Sequence, residues 1–187
     1  MANILSELEN YRLSVKVFLK SNAKLFKLIP LKSVISGEPY KLSFLFKNLA
    51  EETFPRSALK YNILWPTDQF DDGTIEVPPL KKNDSYNSPW FTYDALSDGF
   101  GLVFIRESPQ HEGLYRVKDE EGRTRKIQFY RGKHPADIIR ASSSIEGIKA
   151  KTWEEIYEHW ALIFAMFSLA IIALEKLFSL WNWLFPK

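Results

Sequence analysis

Residues 160–174 read WALIFAMFSLAIIAL, with one polar side chain, Ser168. A helix built from them is apolar on every side and has no face to offer water. Only a protein interior or a lipid phase can hold such a segment. Glu175 and Lys176 interrupt the run, and mostly apolar residues resume over 177–185. A bilayer core needs about 20 residues of helix, so the run by itself is short. The aromatic residues set the length. Trp153, Tyr157 and Trp160 stand at one end, Trp181 and Trp183 at the other. At helical rise Trp160 and Trp181 are roughly 31 Å apart, which matches the hydrocarbon thickness and puts an amphipathic ring at each interface. A charge at the bilayer centre costs roughly 2.5–3.5 kcal/mol, less toward the edge, where Lys176 can snorkel. Thr152, Trp153, Glu154 and Glu155 form a capping-box sequence, which predicts a helix start at 152. A single transmembrane helix is expected over 152–187.

The polar residues of this helix are not scattered. Ser168, Glu175, Ser179 and Asn182 fall within about 60° of arc at 100° per residue. Ala161 and Ala165 extend the stripe with small side chains, and Lys176 alone lies off it. Small and polar residues mediate helix contacts in lipid, and an intramembrane carboxylate faces a bundle interior or a wet cavity. The stripe therefore predicts association with a like helix or another subunit's helix. Arg140, Lys149 and Lys151 precede the helix and only Lys187 follows it. Positive-inside bias then keeps the larger part cytosolic. Residues 1–10 have no basic region leading into an apolar run, unlike a secretory signal. The expected topology is a single-pass, C-terminally anchored protein with the bulk of the chain cytosolic.

The rest of the chain has the period of strands. Leu13, Val15, Val17 and Leu19 alternate with Arg12, Ser14, Lys16 and Lys20, and Tyr40, Leu42, Phe44 and Phe46 repeat the pattern. Period-two alternation marks half-buried strands. Further strand-like runs cover 59–65, 74–77, 90–93, 100–106, 114–118 and 124–131. Turn signals separate most of them: Asp71-Asp72-Gly73, Asn83-Asp84-Ser85, Ser97-Asp98-Gly99 and Glu120-Glu121-Gly122. Many short strands with regular turns predict an antiparallel sandwich or small barrel over 1–134. Ala141, the three serines after it and Gly147 predict a mobile linker over 135–151, with a short helical turn at 136–140.

The stretch Ile35-Ser36-Gly37-Glu38-Pro39-Tyr40-Lys41-Leu42-Ser43-Phe44, continuing to Phe46-Lys47-Asn48, resembles the second strand of bacterial and archaeal immunoglobulin-like domains. There a Gly-Glu turn leads into an alternating strand that ends in Lys-Asn or Arg-Asn. Ile75-Glu76-Val77-Pro78-Pro79-Leu80 is similar to their later strand and turn, and Gly113-Leu114-Tyr115-Arg116-Val117 to the Gly-x-Tyr strand near the domain's end. The resemblance spans residues 11–131 and implies an immunoglobulin-like β-sandwich, an architecture and not an activity. The Cys–Trp–Cys core of antibody domains is missing.

Candidate chemistry is sparse. The chain has no cysteine, which excludes disulfides, thiol catalysis and zinc–thiolate sites. His111, His134 and His159 have no metal-ligand spacing, and no phosphate loop or nucleophile elbow occurs. Asp68, Asp71, Asp72 and Gly73 faintly resemble a calcium loop but lack its ligand alternation and closing Glu. No cofactor is expected. Basic residues cluster twice: Lys16, Lys20, Lys24, Lys27 and Lys32, then Arg116 with Lys118, followed by Arg123, Arg125, Lys126, Arg131 and Lys133. These predict solvated strand faces, or contacts to anionic headgroups or another anionic ligand, with Lys20, Lys24, Lys27, Lys32, Arg123, Arg125, Lys126 and Arg131 the contacting residues. The net charge of +2 is too small to argue for a nucleic-acid binder.

The expected function is a non-enzymatic membrane-tethered module. Its sandwich binds a protein partner or small signal in the cytosol, and its helix anchors and assembles it. Two alternatives are an oligomeric pore-forming or membrane-perturbing effector with Glu175 and Asn182 toward a lumen, and a membrane-anchored hydrolase using loop carboxylates. Replacing Glu175 and Asn182 together by Leu is expected to reduce the oligomer to a smaller species in mild detergent, read by light scattering; an unchanged mass would defeat the association stripe.

Overall fold

The computed structural model describes residues 11–25, 29–106, 115–118, 121–132, 134–140 and 143–184, without the side chains at 30, 135, 182 and 183. The chain divides into two compact units, Met1–Ala150 and Lys151–Lys187. The first is all β. Its strands are β1 (Tyr11–Ser21), β2 (Lys24–Leu25), β3 (Ile29–Pro30), β4 (Val34–Ile35), β5 (Pro39–Asn48), β6 (Ser57–Leu64) and β7 (Phe70–Val77). They continue with β8 (Ser85–Asn87), β9 (Phe91–Asp94), β10 (Gly99–Ile105), β11 (Arg116–Lys118), β12 (Thr124–Tyr130), β13 (Ile138–Ile139) and β14 (Glu146–Lys151). The second unit is one helix, α1 (Trp153–Leu184). The molecule is thus a β-sandwich followed by a single long C-terminal helix.

The first sheet runs β11-β12-β1-β5-β8, with β9 also on β5 and β13 on β12. The second runs β4-β14-β10-β6-β7, and β2 and β3 make a small separate ribbon. Most pairs are antiparallel, but β1 and β12 run parallel with Tyr11 beside Ile127 and Leu13 beside Phe129. That pair departs from the antiparallel expectation. A parallel pair needs a long crossover between its members, and here almost the whole domain lies between them. β8 and β9 occupy one edge of β5 in succession. At the break Ser88 stitches the edge: its hydroxyl accepts from the Phe44 N–H at 2.9 Å and its N–H donates to the Phe44 carbonyl at 2.8 Å. Pro89 follows in the position an edge tolerates.

The alternation read in β1 and β5 is the inward face, except at Leu19, which is exposed near the end of β1. Leu13, Val15, Leu42, Phe44 and Phe46 are buried from the first sheet, and Leu59, Tyr61, Ile63, Val77 and Val103 from the second. The Phe44 and Tyr61 rings meet with centroids 4.8 Å apart, so the two sheets lock through aromatic contacts. Such residues bury most of the apolar surface, and truncating one costs about 3–5 kcal/mol. Tyr115 ties the sheets by a different means. Its hydroxyl donates to the Ala58 carbonyl at 2.9 Å and accepts from the Lys60 N–H at 3.1 Å, both on β6.

Two expectations need correction. Residues 135–151 are not a linker. Pro135–Asp137 form a 3-10 turn, β13 pairs with β12, and β14 pairs with β10 inside the second sheet. Ile148 and Ala150 are buried there, so the sandwich extends to the start of the helix. Asp71-Asp72-Gly73 is not a turn either; it lies within β7, opposite Ile63, Asn62 and Tyr61. The chain reverses earlier. The Asp68 N–H donates to the Trp65 carbonyl at 3.1 Å, and the Trp65 N–H to the Gln69 carbonyl at 2.9 Å. Asp68 takes the left-handed conformation, φ 56°, which Asp accepts more readily than most residues. The turn at Gly122 forms as expected, joining β11 to β12.

Tyr115→Phe removes the hydroxyl from both β6 contacts and leaves a part-buried carbonyl and N–H to find other partners. It is expected to destabilise the sandwich by about 1–3 kcal/mol, seen as a lower melting temperature of the full chain in detergent.

Candidate functional site

α1 carries the features that the sequence suggested for a span. The Thr152 hydroxyl accepts from the Glu155 N–H at 3.2 Å, so the expected N-cap is present. Trp153, Tyr157 and Trp160 recur at helical spacing; the Trp153 and Tyr157 rings stack at 5.7 Å, and Trp160 packs on Phe164 at 6.0 Å. Trp181 closes the far end at 61% exposure. The segment Trp153–Trp181 has mean hydropathy 2.1 over its most apolar window, none of it buried. Leu162, Phe167, Leu169 and Phe178 are all more than 60% exposed, although they point in different directions around the axis. The helix is long and apolar enough to cross a membrane.

The stripe holds its register because α1 is unbroken. Ala161, Ala165, Glu175 and Ser179 are exposed, as is Ser168. The Ser168 hydroxyl donates to the Phe164 carbonyl at 2.9 Å, one turn back, so it can approach a neighbouring helix without an unsatisfied proton. The side chains of Asn182 and Trp183 lie outside the described residues.

The basic residues read from sequence are redistributed among the strands. Lys20, Lys24 and Lys32 are exposed on β1, β2 and the turn before β4; Lys27 lies outside the described residues. In the second cluster Arg123 pairs with Glu121 and Arg125 with Glu52. Arg125 also lies over the Tyr11 ring. These four charged residues share an open cleft of about 260 Å³ that is balanced in charge. Arg131 donates to the Ser144 carbonyl at 2.8 Å and lines a depression of about 420 Å³ with Arg140 and Asp137. Lys126 is exposed on β12.

A buried polar group went unseen in the sequence. Tyr40, Tyr61, Trp65, Tyr93 and Asp71 gather where β5, β6, β7 and β9 meet. Tyr40 lies edge-on to Trp65 with centroids 6.2 Å apart. The Tyr61 hydroxyl donates to Tyr93 at 2.5 Å, and Tyr93 donates to the Asp72 carbonyl at 3.1 Å. Gly73 allows this, since a Cβ there would stand 2.5 Å from the Tyr61 hydroxyl. The Tyr40 hydroxyl, Trp65 Nε1 and Asp71 Oδ2 are buried without a hydrogen-bond partner among the described residues. Burial drives the Tyr40 and Tyr61 hydroxyls far above the usual phenol range, so both stay protonated at neutral pH. Burial also raises the Asp71 carboxyl; the nearby Trp65 indole N–H partly offsets this, and Asp94 and Asp72 add to it. Asp71 shares the inward side of β7 with Gly73, while Asp72 takes the other, so the two carboxylates of the expected turn diverge.

No protein-family model matches the sequence, and no curated protein matches it. Among solved structures, one assigned as the ApaA protein of Bordetella pertussis aligns over 62% of this chain and 86% of its own, at 12% identity and TM-score 0.42. A CARDB domain from Pyrococcus furiosus, solved in complex with di-metal ions, aligns over 64% of this chain and 90% of its own, at 13% identity and TM-score 0.34. At these scores the architecture rests on the strand pairing itself.

A carboxyl whose pKa is raised by folding stabilises the fold in its protonated form, and that stability is lost as pH rises. The loss starts near the ordinary Asp value of 3.8 and is complete above the raised one. Asp71→Asn is therefore expected to melt higher than the parent chain near pH 7, with the gap closing by about pH 3. A gap of the opposite sign at pH 7 would mean that the carboxylate is held as an anion.

Proposed function

We propose that this chain is a non-enzymatic, membrane-tethered interaction module. α1 anchors it in a bilayer and associates through the Ser168, Glu175, Ser179 and Asn182 stripe, while the sandwich faces the cytosol and binds a protein partner. One observation carries the reading: a helix of 32 residues exposes large apolar side chains all round. In water that surface would drive aggregation; in lipid it is the ordinary surface of a span.

The sandwich supplies a surface suited to a partner. Phe70, Leu64 and Leu102 are cross-strand neighbours in one row over β7, β6 and β10 on the outward side of the second sheet. Phe70 is 49% exposed and Leu102 36%, and Phe100 beside them is 58% exposed. A contiguous apolar row on an otherwise polar face is a feature of protein-binding surfaces. The immunoglobulin-like resemblance adds to this reading, since that architecture serves recognition more readily than catalysis when no reactive group is gathered.

The full chain is expected to stay with membranes through alkaline carbonate extraction and to release only in detergent. Leu169→Arg with Ile172→Arg adds about 5–7 kcal/mol to the cost of insertion and should move the chain to the soluble or aggregated fraction. Because the chain has no cysteine, a single Lys60→Cys reports sidedness by labelling with an impermeant maleimide. Carbonate-soluble parent protein would sink the anchor, and labelling only from the non-cytosolic side would sink the orientation.

A further inference from the structure

The strands of the two sheets divide the charge unequally. Those of the second sheet hold Lys60, Lys149 and Lys151 against Asp71, Asp72, Glu76 and Glu146. Those of the first hold nine Lys and Arg residues against one acid, Asp94. Register decides which way the nine point. Tyr11, Leu13, Val15 and Val17 face the core, so Arg12, Lys16 and Lys20 of β1 face outward. Lys41 stands directly opposite Lys20, and Lys47 opposite Ser14, so both lysines of β5 share that face. Arg12 lies beside Gln128 in the parallel pair, which puts Lys126 outward, and Arg116 is opposite Lys126 with Lys118 two residues on. Only Arg125 turns inward, over Tyr11. Eight cations from four adjacent strands thus share one side, and none of them is in an ion pair among the described residues.

Lys20 opposite Lys41 is a like-charge cross-strand pair, which costs stability. A sheet gains nothing from that arrangement by itself; an anionic partner reverses its sign. The form of the face indicates which partner. From Arg12 to Lys20 the charges run over about 27 Å of strand, and neighbouring strands are about 4.8 Å apart. Six of the eight are lysines, which act as flexible point charges and not as forks shaped to one phosphate. Phe18, the aromatic between Lys16 and Lys20, is half-buried beneath the Lys16 ammonium, so no platform for stacked bases is offered. A broad lysine-rich plane fits a diffuse layer of negative charge.

We infer that the outward face of the first sheet binds an anionic lipid surface. The inference rests on the membrane-tether reading, since only Thr152 separates β14 from α1, and an anchored helix so joined keeps the sandwich near headgroups at high local concentration. It regroups the sequence clusters: Arg12, Lys41 and Lys47 join Lys16, Lys20, Arg116, Lys118 and Lys126, while Arg123 and Arg125 drop out into ion pairs with Glu121 and Glu52.

The test uses the full chain in nanodiscs of neutral phosphatidylcholine, mixed with sucrose-loaded vesicles that either contain phosphatidylserine or do not. The chain is expected to sediment with the phosphatidylserine vesicles only, and to be released by high salt. Changing Lys16, Lys20, Lys41 and Lys47 to Glu should cut binding well over tenfold, at roughly fivefold per lysine. The same four changed to Gln give a milder loss and guard against a misfolded Glu variant, with the melting temperature as the check. Lys60→Glu with Lys149→Glu, on the other sheet, should leave binding unchanged. Equal sedimentation with both vesicle types, indifference to the four-lysine change, or preference for a single-stranded oligonucleotide over phosphatidylserine would each overturn the inference. If the chain fails to enter nanodiscs, the tether reading fails by itself, and the soluble chain is put to the same vesicles to judge the face.

Discussion

Every buried peptide group must find a hydrogen-bond partner, and the chain meets this demand in two ways that meet at Thr152. Before it, strands share their groups laterally in two sheets. After it, one helix satisfies its groups internally, which is what lets a single segment survive where no water is present. The Thr152 hydroxyl serves the changeover by accepting one of the N–H groups that a helix start leaves over.

Within the sandwich, the aromatic layer dictates what the strands can carry. Phe44, Tyr61, Tyr40 and Trp65 are large, and the sheets accommodate them by giving up side chains opposite. Gly73 stands where any Cβ would meet Tyr61, and a Cβ at Gly101 would come within 2.9 Å of the Trp65 ring. The same crowding takes Asp71 inward, close to Trp65, where its charge is disfavoured. The cluster of protonated tyrosines and a reluctant carboxylate lies where β5, β6, β7 and β9 meet.

Legibility tracked locality. The alternation of β1 and β5 was plain because each buries one face only, and the helix was plain because nothing else tolerates its composition. β14 escaped because Gly147 and the preceding serines read as a linker. Its partner β10 lies more than forty residues away, and only that pairing makes Ile148 and Ala150 a core face. Asp71-Asp72-Gly73 carries strong turn chemistry, yet Tyr61 across the ladder needs the glycine as a gap. The basic residues misled by proximity along the chain: Arg123 and Arg125 are neighbours of Lys126 in sequence but find Glu121 and Glu52 in space.

The sequence by itself determined the two-part build, the existence and cap of α1, the polar stripe along it, and the inward residues of the longest strands. Each of these follows from a period or a composition that one segment expresses alone. Tertiary structure decided the parallel closure of β1 on β12, the recruitment of residues 146–151 into the second sheet, the Tyr40–Trp65–Asp71 cluster, and the gathering of eight cations on one side. Those features join segments far apart along the chain, and their energies depend on register between strands, which no single segment can specify.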